Sequence, residues 1–188
     1  HALERDVSAV VKAAGGEVLG SVKTPFPGTD FSSFLLQAQS SGADVIGLAN
    51  AGGDTVNSMK QASEFGITQA GQAIAGLLVF VNDVHSLGLD VAQGLVLTES
   101  FYWDLNDDTR AWSARFEETT GQKPSMIQAG VYGAVLHYLK AVEAVGDKDP
   151  EKVMAKMKEM PTDDPLFGKG QIRADGRKIH DSYLFRVK

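Results

Sequence analysis

The strongest constraint on the fold is a regular alternation of strand-like and helix-like segments in the first half of the chain. Short apolar runs at 17–24, 44–49, 72–80 and 94–101 are separated by segments with helical spacing of apolar residues, so that the pattern changes about every dozen residues. Glycine, proline and polar residues bound these runs. This alternation predicts an α/β fold built from βαβ units around a mostly parallel sheet.

The second half of the chain has a different organisation. Helical patterns at 107–119, 126–145 and 150–160 follow one another with no strand between them, and a β-hairpin turning at Ala174–Gly176 is predicted to close the chain. Three successive helices without a strand must pack on each other or on a sheet that this chain does not contain. Because His1 already lies inside a helical pattern, we interpret the sequence as a fragment or a processed piece.

Charge and composition exclude several classes of protein. The net charge of −6 and the pI near 5.2 argue against a nucleic-acid binder, which would present a basic patch. No apolar stretch approaches the roughly 20 residues needed to span a bilayer. The absence of cysteine excludes disulfides, thiolate metal sites and a cysteine nucleophile.

Catalytic and cofactor motifs are absent from the sequence. It contains no nucleophile elbow, phosphate-binding loop, zinc-protease motif or dinucleotide fingerprint. The four histidines are far apart and lack metal-ligand spacing, and His137 lies on an apolar helix face where a structural role is expected. We therefore predict no catalytic residue, no metal site, no cofactor and no enzymatic activity.

The first candidate site is the junction between a strand and a helix at 50–54. Its residues are Asn50, Ala51, Gly52, Gly53 and Asp54, which follow the apolar run 44–49. Asp54 occupies the position expected of a helix N-cap. Such a junction is where α/β proteins place ligands, although an ordinary turn gives the same pattern.

Aromatic residues mark the second and third candidate sites. Phe101, Tyr102 and Trp103 are consecutive at the point where the last strand ends and the helical region begins. They are either packing plugs or the walls of a ligand cleft. Tyr132 lies on a helix beside two glycines, which indicates that another group approaches the backbone closely.

The segments 30–66, 92–125, 126–146 and 168–188 together resemble the type I periplasmic solute-binding proteins of ABC importers, in the branched-chain amino acid group. They include "DFSSFLLQAQSSGADVIGLANAGGDTVNSMKQASEFG" and "MIQAGVYGAVLHYLKAVEAVG". No single motif is diagnostic, but the order of the segments is specific. The resemblance covers nearly the whole chain.

This resemblance implies the periplasmic-binding-protein type I fold, in which two α/β lobes hold a small solute between them. The chain would be the C-terminal half: residues 1–101 and 166–188 form lobe 2, and residues 102–165 supply helices of lobe 1, whose sheet is absent. The protein would be periplasmic, with its signal peptide upstream, and would deliver the solute to a membrane permease. We expect the isolated chain to self-associate, through a stripe that includes Trp112, Phe116 and Val131, or to pair with the N-terminal half.

The resemblance also implies a set of ligand contacts. Amino-acid binders of this group carry a glutamate after the strand that matches 73–79, whereas this chain has apolar residues there and no acid before Asp83. A buried ammonium without a carboxylate would be costly. Asp54 is engaged as an N-cap, so Asp104 is the replacement acid. The predicted contacts are Asn50, Ala51, Gly52, Gly53, Asp54, Phe80, Phe101, Tyr102, Trp103, Asp104 and Tyr132.

The predicted ligand is an apolar or aromatic carboxylate. Three alternatives stay open: a branched-chain amino acid binder, a ligand-sensing domain of a receptor or regulator with the same fold, and a doubly wound α/β enzyme.

Overall fold

A computed structural model describes residues 1–188 and divides them into two compact units. Unit 1 contains residues 1–98 and 184–188, and unit 2 contains residues 99–183. No helix combines the length and the apolar character that crossing a membrane requires.

In chain order, the first eight elements are α1 (Ala2–Ala13), α2 (Ser32–Ser40), β1 (Val45–Leu48), α3 (Gly53–Glu64), β2 (Ala73–Gly76), α4 (Val81–Leu87), α5 (Leu89–Ala92) and β3 (Val96–Glu99). The remaining elements are α6 (Asp107–Thr120), α7 (Met126–Val145), α8 (Pro150–Glu159), β4 (Thr162–Asp164), β5 (Gly168–Ile172), β6 (Lys178–Ile179) and β7 (Tyr183–Arg186).

The larger sheet has four strands in the order β1-β2-β3-β7. β1 runs parallel to β2, from Val45 opposite Ala73 to Leu48 opposite Gly76, and β2 runs parallel to β3. β1 is therefore an edge strand. The sheet packs in one apolar core with Leu35 of α2 and Met59 of α3. These features confirm the predicted α/β fold with a mostly parallel sheet.

The strand predicted at 17–24 does not form, so that prediction is wrong. This segment has no ladder partner, and its apolar side chains Leu19 and Val22 are exposed. The neighbouring α1 also buries none of its residues. An alternating pattern is typical of a strand, but a strand is stable only when another strand pairs with it.

The helix ends in unit 2 follow the local signals in the sequence. The side chain of Asn106 accepts a hydrogen bond from the Thr109 N–H and caps α6, and Ser125 and Asp149 cap α7 and α8 in the same way. Gly121 and Gly146 end α6 and α7 with φ angles of 74° and 69°. Such left-handed backbone is accessible to glycine and unfavourable for other residues.

Unit 2 also contains the predicted hairpin. β4, β5 and β6 form an antiparallel sheet, and the Gly176 N–H bonds to the Arg173 oxygen at the turn. The predicted apolar stripe needs a correction, because Trp112 is buried and Phe116 packs against it in the core of unit 2. The exposed residues of the predicted stripe lie on α7, where one apolar face contains Ile127, Val131, Val135, Tyr138 and Leu139.

Candidate functional site

Two loops of unit 1 leave the sheet side by side. Because β1 and β2 are parallel neighbours with Leu48 opposite Gly76, the segments that follow them emerge from the same edge. The Leu77 N–H continues the pairing by donating to the Leu48 oxygen at 3.1 Å. The loop 49–52, the first turn of α3 and the loop 77–80 are therefore neighbours, and we call them together the strand-end surface. It contains six of the predicted ligand residues: Asn50 to Asp54, with Asp54 in the first turn of α3, and Phe80.

Asn50 is held in a fixed orientation by α3. Its side-chain amide donates to Ser58 Oγ at 3.0 Å, and its side-chain oxygen accepts from Thr55 Oγ1 at 2.9 Å. Ser58 Oγ in turn donates to the Asp54 backbone oxygen at 2.7 Å. Both ends of the Asn50 amide are thus used in shaping the loop.

Asp54 is not the N-cap of α3, which corrects the prediction from the sequence. Gly52 occupies the cap position with a φ angle of 57°, and Asp54 is the second residue of the helix. The buried Asp54 carboxylate instead accepts from the Gly28 N–H, with both oxygens 3.3 Å from that nitrogen. It therefore fastens the turn at 25–28 to the first turn of α3.

The N-terminus of α3 offers hydrogen-bond donors to an anion. The first N–H groups of a helix have no acceptor inside the helix, and no side chain caps this end. Gly53 is exposed and Ala51 and Gly52 are half-buried, so the backbone can be approached closely here. The partial positive charge of the helix end favours a carboxylate at this position.

The second loop supplies an apolar wall. Leu77, Leu78 and Phe80 are all half-buried, and Phe80 precedes α4. The first acid beyond them, Asp83, accepts from the Phe80 N–H at 2.9 Å and so caps α4. The acid nearest to this wall in sequence is thus engaged by the backbone.

The aromatic segment 101–103 belongs to unit 2 and divides into two environments. Phe101 is 1% exposed, and its ring meets Trp112 edge-on at 5.7 Å between centroids, so other side chains of unit 2 cover it. Tyr102 and Trp103 are half-buried, with their rings 5.6 Å apart. Burial, with the nearby charge of Asp104, raises the pKa of the Tyr102 hydroxyl.

Asp104 and Tyr132 each have a partner within unit 2. Asp104 is exposed and lies 2.9 Å from the Arg110 guanidinium, so its charge is compensated. The Tyr132 ring packs 5.3 Å from that of Trp112. The roles of Phe101, Tyr102, Trp103, Asp104 and Tyr132 as ligand contacts stay predictions from the sequence.

A buried ion pair in unit 2 was missed by sequence reasoning. Asp164 Oδ2 lies 2.7 Å from Lys178 Nζ, and Asp164 Oδ1 accepts from the Leu166 and Phe167 N–H groups. Gly133 of α7 packs against this pair, since a Cβ there would lie 3.3 Å from Asp164 Oδ2. Close approach to a helical glycine is therefore confirmed at Gly133, whereas Gly130 faces open space.

A cavity of about 520 Å³ adjoins this ion pair within unit 2. Ser100, Asn106, Asp108, Asp164, Phe167 and Asp181 are among the residues that line it. None of the predicted ligand residues lines this cavity. No cluster of histidine and carboxylate side chains in the chain could hold a metal ion.

Comparison with known proteins gives a consistent family. Residues 1–188 match the family described as periplasmic binding protein. No match was found among curated proteins. Among solved structures, the chain is similar to a periplasmic binding protein from Burkholderia mallei, with 55% identity and a TM-score of 0.93 over 98% of this chain and 49% of that chain.

Two further solved structures indicate the range of relatives. A branched-chain amino acid ABC transporter periplasmic ligand-binding protein from Burkholderia xenovorans LB400 is 44% identical, with a TM-score of 0.85 over 97% of this chain and 49% of that chain. An ABC-transporter solute-binding protein from R. palustris, in complex with 4-hydroxybenzoate, is 26% identical, with a TM-score of 0.86 over 98% of this chain and 52% of that chain.

The chain spans about half the length of these solved structures. The resemblance predicted from the sequence is confirmed by the family match and by the structural similarity. The chain belongs to the periplasmic binding protein family, and its structural neighbours are ABC-transporter binding proteins of the branched-chain amino acid and aromatic acid type.

Proposed function

We propose that this chain forms part of the solute-binding component of an ABC importer, and that its solute is a small apolar or aromatic carboxylate. The protein would capture the solute in the periplasm and deliver it to a membrane permease without catalysing a reaction. The observation that carries the proposal is the strand-end surface, where a helix N-terminus lies beside an apolar wall that contains no free acid.

The carboxylate of the solute would bind at the N-terminus of α3. Backbone N–H groups of the loop at 51–53 and of the first helical turn would donate to its oxygens. The apolar part of the solute would then lie against Leu78 and Phe80, which are half-buried and keep surface for contact. A ring against Phe80 would gain both burial of apolar area and a favourable aromatic pair.

A zwitterionic amino acid fits the strand-end surface less well. Its ammonium needs a carboxylate or several acceptor oxygens, and the two acids near this surface are already engaged. Asp54 is 7% exposed and accepts from Gly28, and Asp83 accepts from Phe80. An ammonium buried without a partner would cost several kcal/mol.

Branched-chain amino acid binding is the second candidate function. The relative from Burkholderia xenovorans, at 44% identity, is described as a branched-chain amino acid transporter protein and favours it. The R. palustris relative bound to 4-hydroxybenzoate favours the aromatic acid, at 26% identity. The chemistry of the strand-end surface supports the aromatic acid as the ligand.

Titration calorimetry distinguishes the two candidates. The protein, in the longest form that its gene encodes, is titrated with 4-hydroxybenzoate and benzoate, and separately with leucine, isoleucine and valine. We expect the aromatic acids to bind and the amino acids to bind more weakly by at least about tenfold, because the ammonium is uncompensated. Tight binding of the amino acids with no binding of the acids would overturn the proposed solute class.

A further inference from the structure

The most exposed large hydrophobic side chain in the protein lies on a short turn of unit 1. Phe26 is 87% exposed, and it stands between Pro25 and Pro27. A phenyl ring left in water forgoes the favourable free energy that burial of its apolar surface would provide. The exposed ring of Phe26 is therefore available for contact with another molecule.

The turn is held firmly at its base. The Gly28 N–H donates to the Asp54 carboxylate, and the Gln61 side chain both accepts from the Phe31 N–H at 2.8 Å and donates to the Thr29 oxygen at 2.9 Å. The Phe31 ring is only 2% exposed and anchors the turn in the core. Phe26 is therefore presented to solvent by a backbone with several fixed attachments.

Glycine at position 28 is required for this arrangement. A Cβ there would lie 2.7 Å from the Phe31 ring and 3.1 Å from the Pro25 oxygen. The close fit sets the path of the chain between the buried Phe31 and the exposed Phe26. The turn is shaped by its contacts with α3 and with the core.

The attachment to α3 places the turn beside the strand-end surface. Asp54, which binds Gly28, lies in the first turn of α3, where the proposed carboxylate site is. Two residues of chain span at most about 7 Å, so the backbone of Phe26 stays near this helix end. The Phe26 turn therefore lies at the same end of α3 as the proposed carboxylate site.

We infer that Phe26 is a solute contact that selects aromatic over aliphatic carboxylates. This inference rests on the proposed function: the carboxylate binds at the α3 N-terminus, and the ring of the solute, which lies against Leu78 and Phe80, also packs on the ring of Phe26. Aromatic rings pair favourably at about 4.5–7 Å between centroids. Packing on a ring that is exposed in the free protein removes apolar surface from water on both partners.

The test compares Phe26→Ala with Phe26→Tyr by calorimetry, in the longest form of the protein that the gene encodes. The probes are 4-hydroxybenzoate and hexanoate, an aliphatic carboxylate. We expect Phe26→Ala to weaken 4-hydroxybenzoate binding by about three- to tenfold and hexanoate binding by less than about twofold, while Phe26→Tyr keeps the wild-type affinities. Leu89→Ala removes a side chain that is 64% exposed and serves as the matched control, with no expected change.

Each other outcome is decisive. Wild-type affinity for 4-hydroxybenzoate in Phe26→Ala overturns the inference and leaves the proposed function standing. Equal weakening of both probes also overturns it, because the ring would then not select aromatic solutes. Failure of the wild-type protein to bind any aromatic acid overturns the proposed function and this inference together.

Discussion

Replacing Asp164 with asparagine is expected to destabilise unit 2 by removing one partner of a buried ion pair. The Asp164 side chain is 4% exposed and that of Lys178 is 19% exposed, with 2.7 Å between carboxylate oxygen and ammonium nitrogen. In Asp164→Asn the remaining oxygen still accepts from the Leu166 and Phe167 N–H groups. The new amide group, however, turns a donor toward the donor Lys178.

The magnitude follows from these contacts. Removing one partner of a buried pair costs about 3–5 kcal/mol, and the partial exposure of Lys178 lets it regain some hydration, so we expect about 2–3 kcal/mol for Asp164→Asn. Asp164→Ala also leaves two N–H groups without an acceptor, at about 1 kcal/mol or more each. We therefore expect about 4–5 kcal/mol for the alanine variant.

The effect of Asp164→Asn depends on pH. Burial raises the pKa of Asp164, but the bonds from Lys178 and from the Phe167 and Leu166 N–H groups outweigh burial and hold this pKa below its usual value. A carboxyl group with a lowered pKa in the folded state stabilises the fold fully above its unfolded pKa of about 4. That contribution is lost as the pH falls through the folded-state pKa, so the difference between wild type and variant should shrink in acid.

Urea denaturation followed by tryptophan fluorescence measures this effect. The two tryptophans, Trp103 and Trp112, both lie in unit 2, so their emission reports on that unit. Asp163→Asn is the matched control, because Asp163 is exposed and its replacement should change stability by less than about 0.5 kcal/mol. The reasoning is refuted if Asp164→Asn unfolds at the wild-type urea concentration at about pH 7, or if the difference is the same at about pH 3.

Three further predictions concern helix α7 and the strand-end surface. Gly130→Ala should stabilise unit 2 by about 0.5–1 kcal/mol in the same assay, because Ala favours a helix interior and its Cβ would meet no other atom. Gly133→Ala should leave unit 2 less stable than Gly130→Ala by about 1–2 kcal/mol, because its Cβ would lie 3.1 Å from Lys178 Nζ. Equal effects of the two substitutions would contradict this. Leu78→Glu should weaken 4-hydroxybenzoate binding at least about tenfold in calorimetry, because the new carboxylate would repel that of the solute. Leu78→Met is the control. Unchanged affinity in Leu78→Glu would count against the proposed surface. The 188-residue chain should self-associate through the exposed apolar face of α7. The double variant Val131→Glu, Val135→Glu should have a lower mass than the wild-type chain in light scattering. A strictly monomeric wild-type chain would disprove this.

Features set by neighbouring residues could be predicted from the sequence. The caps at Asn106, Ser125 and Asp149 each join groups two or three residues apart, so the local pattern contains the whole interaction. The hairpin turn before Gly176 is local in the same sense. The strand predicted at 17–24 failed because a strand also needs a distant partner, which no local pattern specifies.

The strand–helix junction in the candidate site was predictable from the sequence, but its side-chain contacts were not. The end of a parallel strand indicated the loop at 50–54 correctly as a junction between β1 and α3. The role of Asp54 could not be predicted, because its partner Gly28 lies 26 residues earlier in the chain. The buried role of Asp164 could not be predicted either, since nothing near it in sequence reveals Lys178, 14 residues later.

The position of β1 at the border of its sheet matters to anyone who prepares this protein. One side of β1 is paired with β2, and the backbone N–H and C=O groups on its other side have no neighbouring strand in the sheet. Val45 is 54% exposed, and β1 carries no lysine or proline to discourage recruitment of a second molecule. We therefore expect concentrated samples to associate by adding a strand of a second molecule to this open border, and a charged residue placed in β1 should suppress that association.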